Sequence, residues 1–196
     1  EFDIEEVLRE CAAIVSSRVV EGVELVVRLA PVEHLMVGDP MRVRQIILNL
    51  LGNAAKFTTA GRVLLILHAV PVAGSDPGRL TIEVRDTGIG IPEDKLSMLF
   101  APFRQAHAGQ MGGTGLGLYL SRALAHLMRG DIEVESTLGQ GSRFVVDLHL
   151  GVGARKAERW PFSGMTLLVA VGPHLEALLR HGLECGSARV ITSSAS

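Results

Sequence analysis

Hydrophobic positions along the chain change their period several times, and each change marks an element. From Phe2 to Val20, apolar residues recur at Ile4, Val7, Leu8, Cys11, Ile14 and Val15, the spacing of a helix. Val23–Leu29 and His34–Val37 read as two strands, and His34 sits beside turn residues. Asp39-Pro40 reads as an N-cap with a first-turn proline, so a helix is predicted from there to Thr58. At about 100° per residue, Val43, Ile46, Ile47, Leu50, Ala54 and Phe57 share one apolar arc of that helix. Arg62–Val70 and Leu80–Arg85 read as strands joined through a hairpin loop at Pro71–Gly78. Pro92 opens a short helix, and Ala106–Gly113 is too poor in apolar residues to pack, so a mobile loop is expected there. Thr114–Met128 has helical period with Gly130 as its stop. Ile132–Ser136 and Ser142–Leu150 alternate as a hairpin around Leu138–Gly141.

Beyond that point the character changes. Gly151–Pro161 is charged and glycine-flanked, which marks it as a linker. Met165–Val171, Pro173–Leu183 and Ala188–Thr192 then form one predicted β-α-β unit, too short to be a domain by itself. The expected division is therefore a domain over 1–150, a linker over 151–161, and the start of a second domain over 162–196.

Composition narrows the classes. A 47% hydrophobic content and a formal charge of −2 over 196 residues describe an ordinary globular protein, with no basic excess to suggest nucleic acid. The two cysteines, Cys11 and Cys185, cannot build a metal motif or a disulfide framework and fit a reducing compartment. No apolar run is long enough to span a bilayer and no leader opens the chain, so this segment is expected to make no direct membrane contact. Its abrupt ends suggest a piece of something longer, whose parent could be membrane-anchored.

The candidate chemistry begins on the central helix. Gln45, Asn49, Asn53 and Lys56 fall within roughly 80° of one another on a second face. Amide oxygens can ligate a hard cation and an ammonium can neutralise phosphate, although a solvated polar face has the same composition. Three glycine clusters follow: Gly88/Gly90, Gly112/Gly113/Gly115/Gly117 and Gly139/Gly141. The second precedes a helix, where backbone N–H groups and the helix dipole both favour anions. Asp86 ends a strand ahead of the first cluster, placed either to accept a hydrogen bond from an exocyclic amine or simply to form an Asx-turn with Gly88.

In this order and spacing the pieces resemble the ATP-binding catalytic domain of sensor histidine kinases. That family belongs to the superfamily shared with gyrase-type topoisomerases, heat-shock chaperones and mismatch-repair ATPases. RQIILNLLGNAAKFT looks like the N box, DTGIGIP the first glycine box, LFAPFRQ the phenylalanine box, and GGTGLGLYLSRALAHLMRGDIEVES the second glycine box with its following strand. GQGSRF resembles the last glycine motif, with Ser142 where Thr is usual. The resemblance covers Phe2 to Leu150 and implies an α/β (α+β) two-layer sandwich, a mixed, mostly antiparallel sheet with helices on one face.

It also implies roles, position by position. Asn53 would ligate the Mg²⁺ that bridges the ATP phosphates, with Asn49 beside it and Lys56 on the phosphates or ribose. Asp86 would bind the adenine amine, and Gly88 and Gly90 would shape the base pocket. Gly113, Gly115 and Gly117 would turn backbone N–H groups to the phosphates, with Thr114, Leu116 and Ser142 completing the nucleotide contacts. Phe100 and Phe103 would anchor the lid Arg104–Gly113. Gln45 is the candidate catalytic position, but it stands where many of these kinases carry Glu or Asp, which puts the acid/base role in question. Ala101 replaces an acidic residue usual in the phenylalanine box.

The expected reaction is transfer of the ATP γ-phosphoryl group to a histidine Nε2 on a dimerisation domain absent from this chain, then to a response regulator or receiver. None of the seven histidines lies in an acceptor context, and His126, late in its helix, reads as a packing or surface residue. The C-terminal piece resembles a truncated or degenerate receiver, since MTLLVAV runs into Gly172-Pro173-His174 where an acidic pair would be needed. Cytoplasmic placement follows from this reading. The rivals are an ATP-binding regulatory module with little transfer, and another ATPase or an anti-sigma-type serine kinase of the same superfamily.

Overall fold

The computed structural model describes residues 1–68, 78–104 and 115–156, together with the backbone of 166–169 and 189–192. Residues Glu1–Arg155 form one compact unit and Lys156–Ser196 another.

In the first unit, α1 (Ile4–Ser16) is capped by the Asp3 carboxylate, which accepts the Glu5 N–H. It starts two residues later than expected because Phe2 is drawn into an isolated bridge with Met36. The strands β1 (Val23–Leu29) and β2 (His34–Val37) follow. The central helix α2 (Pro40–Phe57) starts as its sequence predicts. Asp39 Oδ1 accepts the N–H groups of Met41 and Arg42 at 3.0 and 3.3 Å, so two donors left over at the helix start are satisfied. Next come β3 (Gly61–Leu67), β4 (Gly78–Asp86), the single turn α3 (Glu93–Leu96), α4 (Gly117–Leu127), β5 (Asp131–Thr137) and β6 (Gly141–Arg155).

Six strands make one sheet in the order β1-β3-β4-β6-β2, with β5 also on β6. Only β1–β3 is parallel, so the sheet is mixed and mostly antiparallel. Strand alternation turns Val63, Leu65, Leu67, Leu80, Ile82, Val84, Phe144, Val146 and Leu148 inward, where they share one core with Ile4, Leu8, Ile46, Ile47 and Leu50 of the helices. Burying each large aliphatic chain is worth about 1.5–3 kcal/mol, so this single interface dominates the fold.

On the outer sheet face, the fully buried Glu83 carboxylate is held by Arg85, by Arg143 Nη2 at 3.0 Å and by His68 Nε2 at 3.4 Å. Arg85 and Arg143 stand directly opposite each other, and Glu83 offsets that like-charge pair.

Three expectations are corrected. Helix α4 begins at Gly117, not Thr114. It stops because Arg129, not Gly130, adopts the left-handed conformation (φ 56°), with Gly130 N–H reaching the Ala125 carbonyl and Arg129 N–H the His126 carbonyl. Gly130 is needed instead for close approach, since a Cβ there would overlap the Asp147 carbonyl oxygen. Residues 151–155, expected in the linker, extend β6 and pair with β2, Met36 opposite Val152 and His34 opposite Arg155. In the second unit, β7 (Thr166–Val169) and β8 (Arg189–Thr192) are parallel. The expected hairpin loop, the mobile loop and the helix Pro173–Leu183 lie outside the described residues.

Candidate functional site

Helix α2 carries the predicted polar row. Gln45 is exposed, whereas Asn49, Asn53 and Lys56 are half-buried along the same helix. Asn49 Nδ2 donates to Ser121 Oγ of α4 at 2.9 Å. Gly117 packs so closely on the Asn49 amide that a Cβ would overlap Oδ1, so the start of α4 is seated on α2 at this residue. Lys56 Nζ lies 5.1 Å from the centroid of the Phe57 ring.

The other end of α2 meets the first glycine cluster. The Phe57 carbonyl accepts the Ile89 N–H at 3.2 Å, and a Cβ on Gly88 would overlap that same carbonyl. Gly90 has φ +66° and lies against the Thr137 carbonyl, while Gly139 N–H donates to the Ile89 carbonyl at 2.8 Å. The glycine loop is thus clasped between the end of α2 and the β5–β6 turn.

Asp86 ends β4 opposite Ser142 of β6. Its Oδ1 accepts the Gly88 N–H at 2.9 Å, the Asx-turn anticipated from the sequence. Desolvation pushes the Asp86 carboxyl above the ordinary aspartate value, and hydrogen bonds from Gly88 N–H and from the Ser142 N–H and hydroxyl pull it partly back. Two opposed influences therefore act on one carboxylate.

The phenylalanine box divides. Leu99 is buried and Phe100 packs on the core, with the Arg122 guanidinium 4.8 Å above its ring. Arg122 also forks onto Asp131 at 2.7 and 2.8 Å, and Asp131 accepts from His126 Nε2 at 2.9 Å, which leaves His126 an exposed surface residue. Phe103, expected to pack as well, is 75% exposed with φ +61°, because its N–H is drawn to the Gly115 carbonyl at 3.1 Å. Gly115 has φ +69° and abuts the Phe103–Arg104 backbone, leaving no room for a side chain. Leu116 is the residue ahead of α4 and Gly117 its first. Gly113 and Thr114 lie outside the described residues.

Of the expected residues, the fold brings Asn49 together with Gly117, and Asp86 with Gly88 and Ser142, while Gln45 stands apart at the surface. Sequence reasoning missed Ser121, Arg122 and Ser136. Ser136 carried a signal, being a hydroxyl at an inward position of an alternating strand where Ile132 and Val134 are apolar. Cys11 offers no chemistry, since burial pushes its thiol up to about 11. No helix among the described residues is long and apolar enough to cross a membrane.

The family described as histidine kinase-, DNA gyrase B-, and HSP90-like ATPase matches residues 38–152. The peroxide stress-activated histidine kinase mak2 of Schizosaccharomyces pombe is 40% identical over 151 residues, 73% of this chain and 6% of that protein. The sensor histidine kinase RcsC of Escherichia coli is 43% identical over 66% of this chain and 13% of its own length. The sensor histidine kinase GacS of Pseudomonas protegens is 38% identical over 94% of this chain and 21% of its own. The chain thus spans only a small part of these curated relatives. The crystal structure of full-length ShkA in complex with AMPPNP has a TM-score of 0.74 at 32% identity, covering 98% of this chain and 40% of that one. The mycobacterial sensor histidine kinase MprB gives 0.61 at 26% identity, covering 76% and 96%. This chain therefore belongs to the histidine kinase-, DNA gyrase B- and HSP90-like ATPase family, as an ATP-binding catalytic domain of the sensor histidine kinase type.

Proposed function

We propose that this chain binds ATP with Mg²⁺ along α2 and passes the γ-phosphoryl group to a histidine on a dimerising helical domain of the same protein, for onward transfer to a receiver or response regulator. One observation carries the reading: α2 joins both ends of the site, Asn49 seated against Gly117 and the Phe57 carbonyl against Gly88 beside Asp86. The eight helical steps from Asn49 to Phe57 span roughly 12 Å, in keeping with an extended nucleoside triphosphate.

The residues fit their assigned ligands. Asp86, half-buried and acceptor-only when ionised, suits an exocyclic amine. The Gly115–Gly117 backbone at the start of α4 suits phosphate oxygens, through its N–H groups and the dipole of an eleven-residue helix. Among the described residues no group of three or more His, Cys, Asp or Glu could hold a metal. Asn53 offers a hard amide oxygen, and Mg²⁺ is commonly held by one or two protein oxygens with phosphates and water. When bound, Mg²⁺ neutralises charge on the phosphates and leaving group. Asn53 then orients the phosphates, with Asn49 beside it and Lys56 adding charge.

The acceptor Nε2 lone pair forms a bond to the γ-phosphorus as the bond to the β–γ bridging oxygen breaks, and ADP leaves with that electron pair. Gln45 is a neutral, exposed amide and takes no proton, which suits a reaction dominated by positioning and electrostatics. The use of ATP as donor places the domain in the cytoplasm. We assign residues 162–196 to the start of a truncated or degenerate receiver-like domain, supported by the parallel β7–β8 pair.

The test is incubation with γ-labelled ATP, Mg²⁺ and the dimerisation domain supplied in trans. Acid-labile, base-stable label on that domain, lost in Asn53→Ala, is the expected result. ATP binding without any transfer would make this a regulatory nucleotide module instead.

A further inference from the structure

The inner face of the sheet is built in rows of three across β5, β6 and β4. Ile132, Val146 and Ile82 make one row, and Val134, Phe144 and Val84 the next. The row after that, at the nucleotide end, is Ser136, Ser142 and Asp86, where the pattern turns abruptly polar.

Its hydrogen bonds form a connected chain. Ser136 Oγ accepts the Ile91 N–H of the glycine loop at 2.8 Å. It reaches the Gly141 carbonyl at 2.8 Å and Ser142 Oγ at 3.0 Å. Ser142 in turn stands opposite Asp86 across the β4–β6 pair, where its N–H and hydroxyl favour the ionised form of that carboxylate. Each serine has one proton to donate. While Asp86 is ionised, the Ser142 proton goes to it, and Ser136 donates to Gly141 or to Ser142 Oγ. Ser136 therefore leaves the Ser142 hydroxyl free to point at Asp86, and fixes the loop that Gly88 and Gly90 belong to.

We propose that Ser136, which need not touch nucleotide, is a positioning residue for base recognition, setting through Ser142 and Ile91 the direction in which Asp86 presents its open acceptor to an exocyclic amine. The inference rests on the reading of Asp86 as the adenine contact and adds the residue that determines how well it discriminates.

A merely structural serine would weaken every nucleotide alike; a positioning serine weakens only those with the amine. The experiment is calorimetric titration of this chain and its Ser136→Ala variant with ATP and with purine riboside triphosphate, which lacks the amine. The wild type prefers ATP, and Ser136→Ala loses about five- to tenfold of that preference, the worth of one net hydrogen bond, with purine riboside triphosphate affinity nearly unchanged. Ser136→Thr, which keeps the hydroxyl, restores the preference. An equal loss for both nucleotides, or no loss, overturns the proposal. A wild type that binds both nucleotides equally well removes the adenine reading of Asp86 and the proposal with it. Should Ser136→Ala fail to fold, Ser136→Cys, which keeps the side chain but weakens its hydrogen bonds, carries the same comparison, with the same expected loss of preference and the same overturning results.

Discussion

Asp86 is burdened by its own burial. Desolvation raises its carboxyl above the ordinary aspartate value, so the folded, nucleotide-free protein binds its proton more tightly than the unfolded chain does. Stability from this group is full below the ordinary aspartate value and is lost as pH rises through the raised one. Asp86→Asn is therefore expected to steepen the fall of Tm on acidification and to raise Tm at neutral pH. The same variant should lose about 10- to 100-fold in ATP affinity, the worth of a hydrogen bond to a charged group, as read by calorimetry. A site residue whose removal stabilises the fold is a functional residue, and a fall in Tm would show that Asp86 serves structure. Asn53→Ala should abolish Mg²⁺-dependent ATP binding with the fold intact, and a circular dichroism spectrum of an unfolded chain would remove Asn53 from the site. Asp86 was legible in the sequence because it closes a strand before two glycines. The hydroxyls behind it were not, since cross-strand register, which aligns Ser136 with Ser142 and Asp86, is invisible until strands pair.

At the scale of elements, the helices announced themselves and their ends did not. α2 was readable because its cap, proline and apolar arc agree, and all three are local. The end of α4 was not, because Gly130 looks like the flexible stop while the adjacent Arg129 takes the left-handed turn. Gly130 is held in place by the Asp147 carbonyl, a contact from β6 that no local pattern encodes. Arg129→Gly is expected to stabilise the domain by about 1 kcal/mol, by relieving a left-handed non-glycine residue. Urea denaturation would check this, and an unchanged midpoint would mean that Arg129 pays its strain back in contacts. Gly117→Ala should do the opposite at the site: its Cβ must displace the Asn49 amide, loosening α4 from α2. The expected readout is weaker ATP binding with a smaller change in Tm.

The whole first unit depends on β6, which pairs with β4 on one side and with β5 and then β2 on the other. The charged, glycine-rich composition of 151–155 looked like a linker because composition cannot see that β2 supplies a pairing partner for it. A chain ending after Lys156 is expected to keep its Tm and ATP affinity, whereas one ending at Leu150 strips β2 of its partner and should melt several degrees lower. Equal melting of the two would mean that the β2–β6 pairing contributes nothing to stability.

That same pairing brings Glu1 to the far end of β6, where its carboxylate accepts the Ala154 N–H at 3.0 Å. Beginning and end of the unit are side by side, so the domain behaves as a plug with both wires in one socket. It can be lifted into a different host protein between two short spacers, or its ends can be sewn together and the chain reopened at an exposed turn, without the sheet being cut.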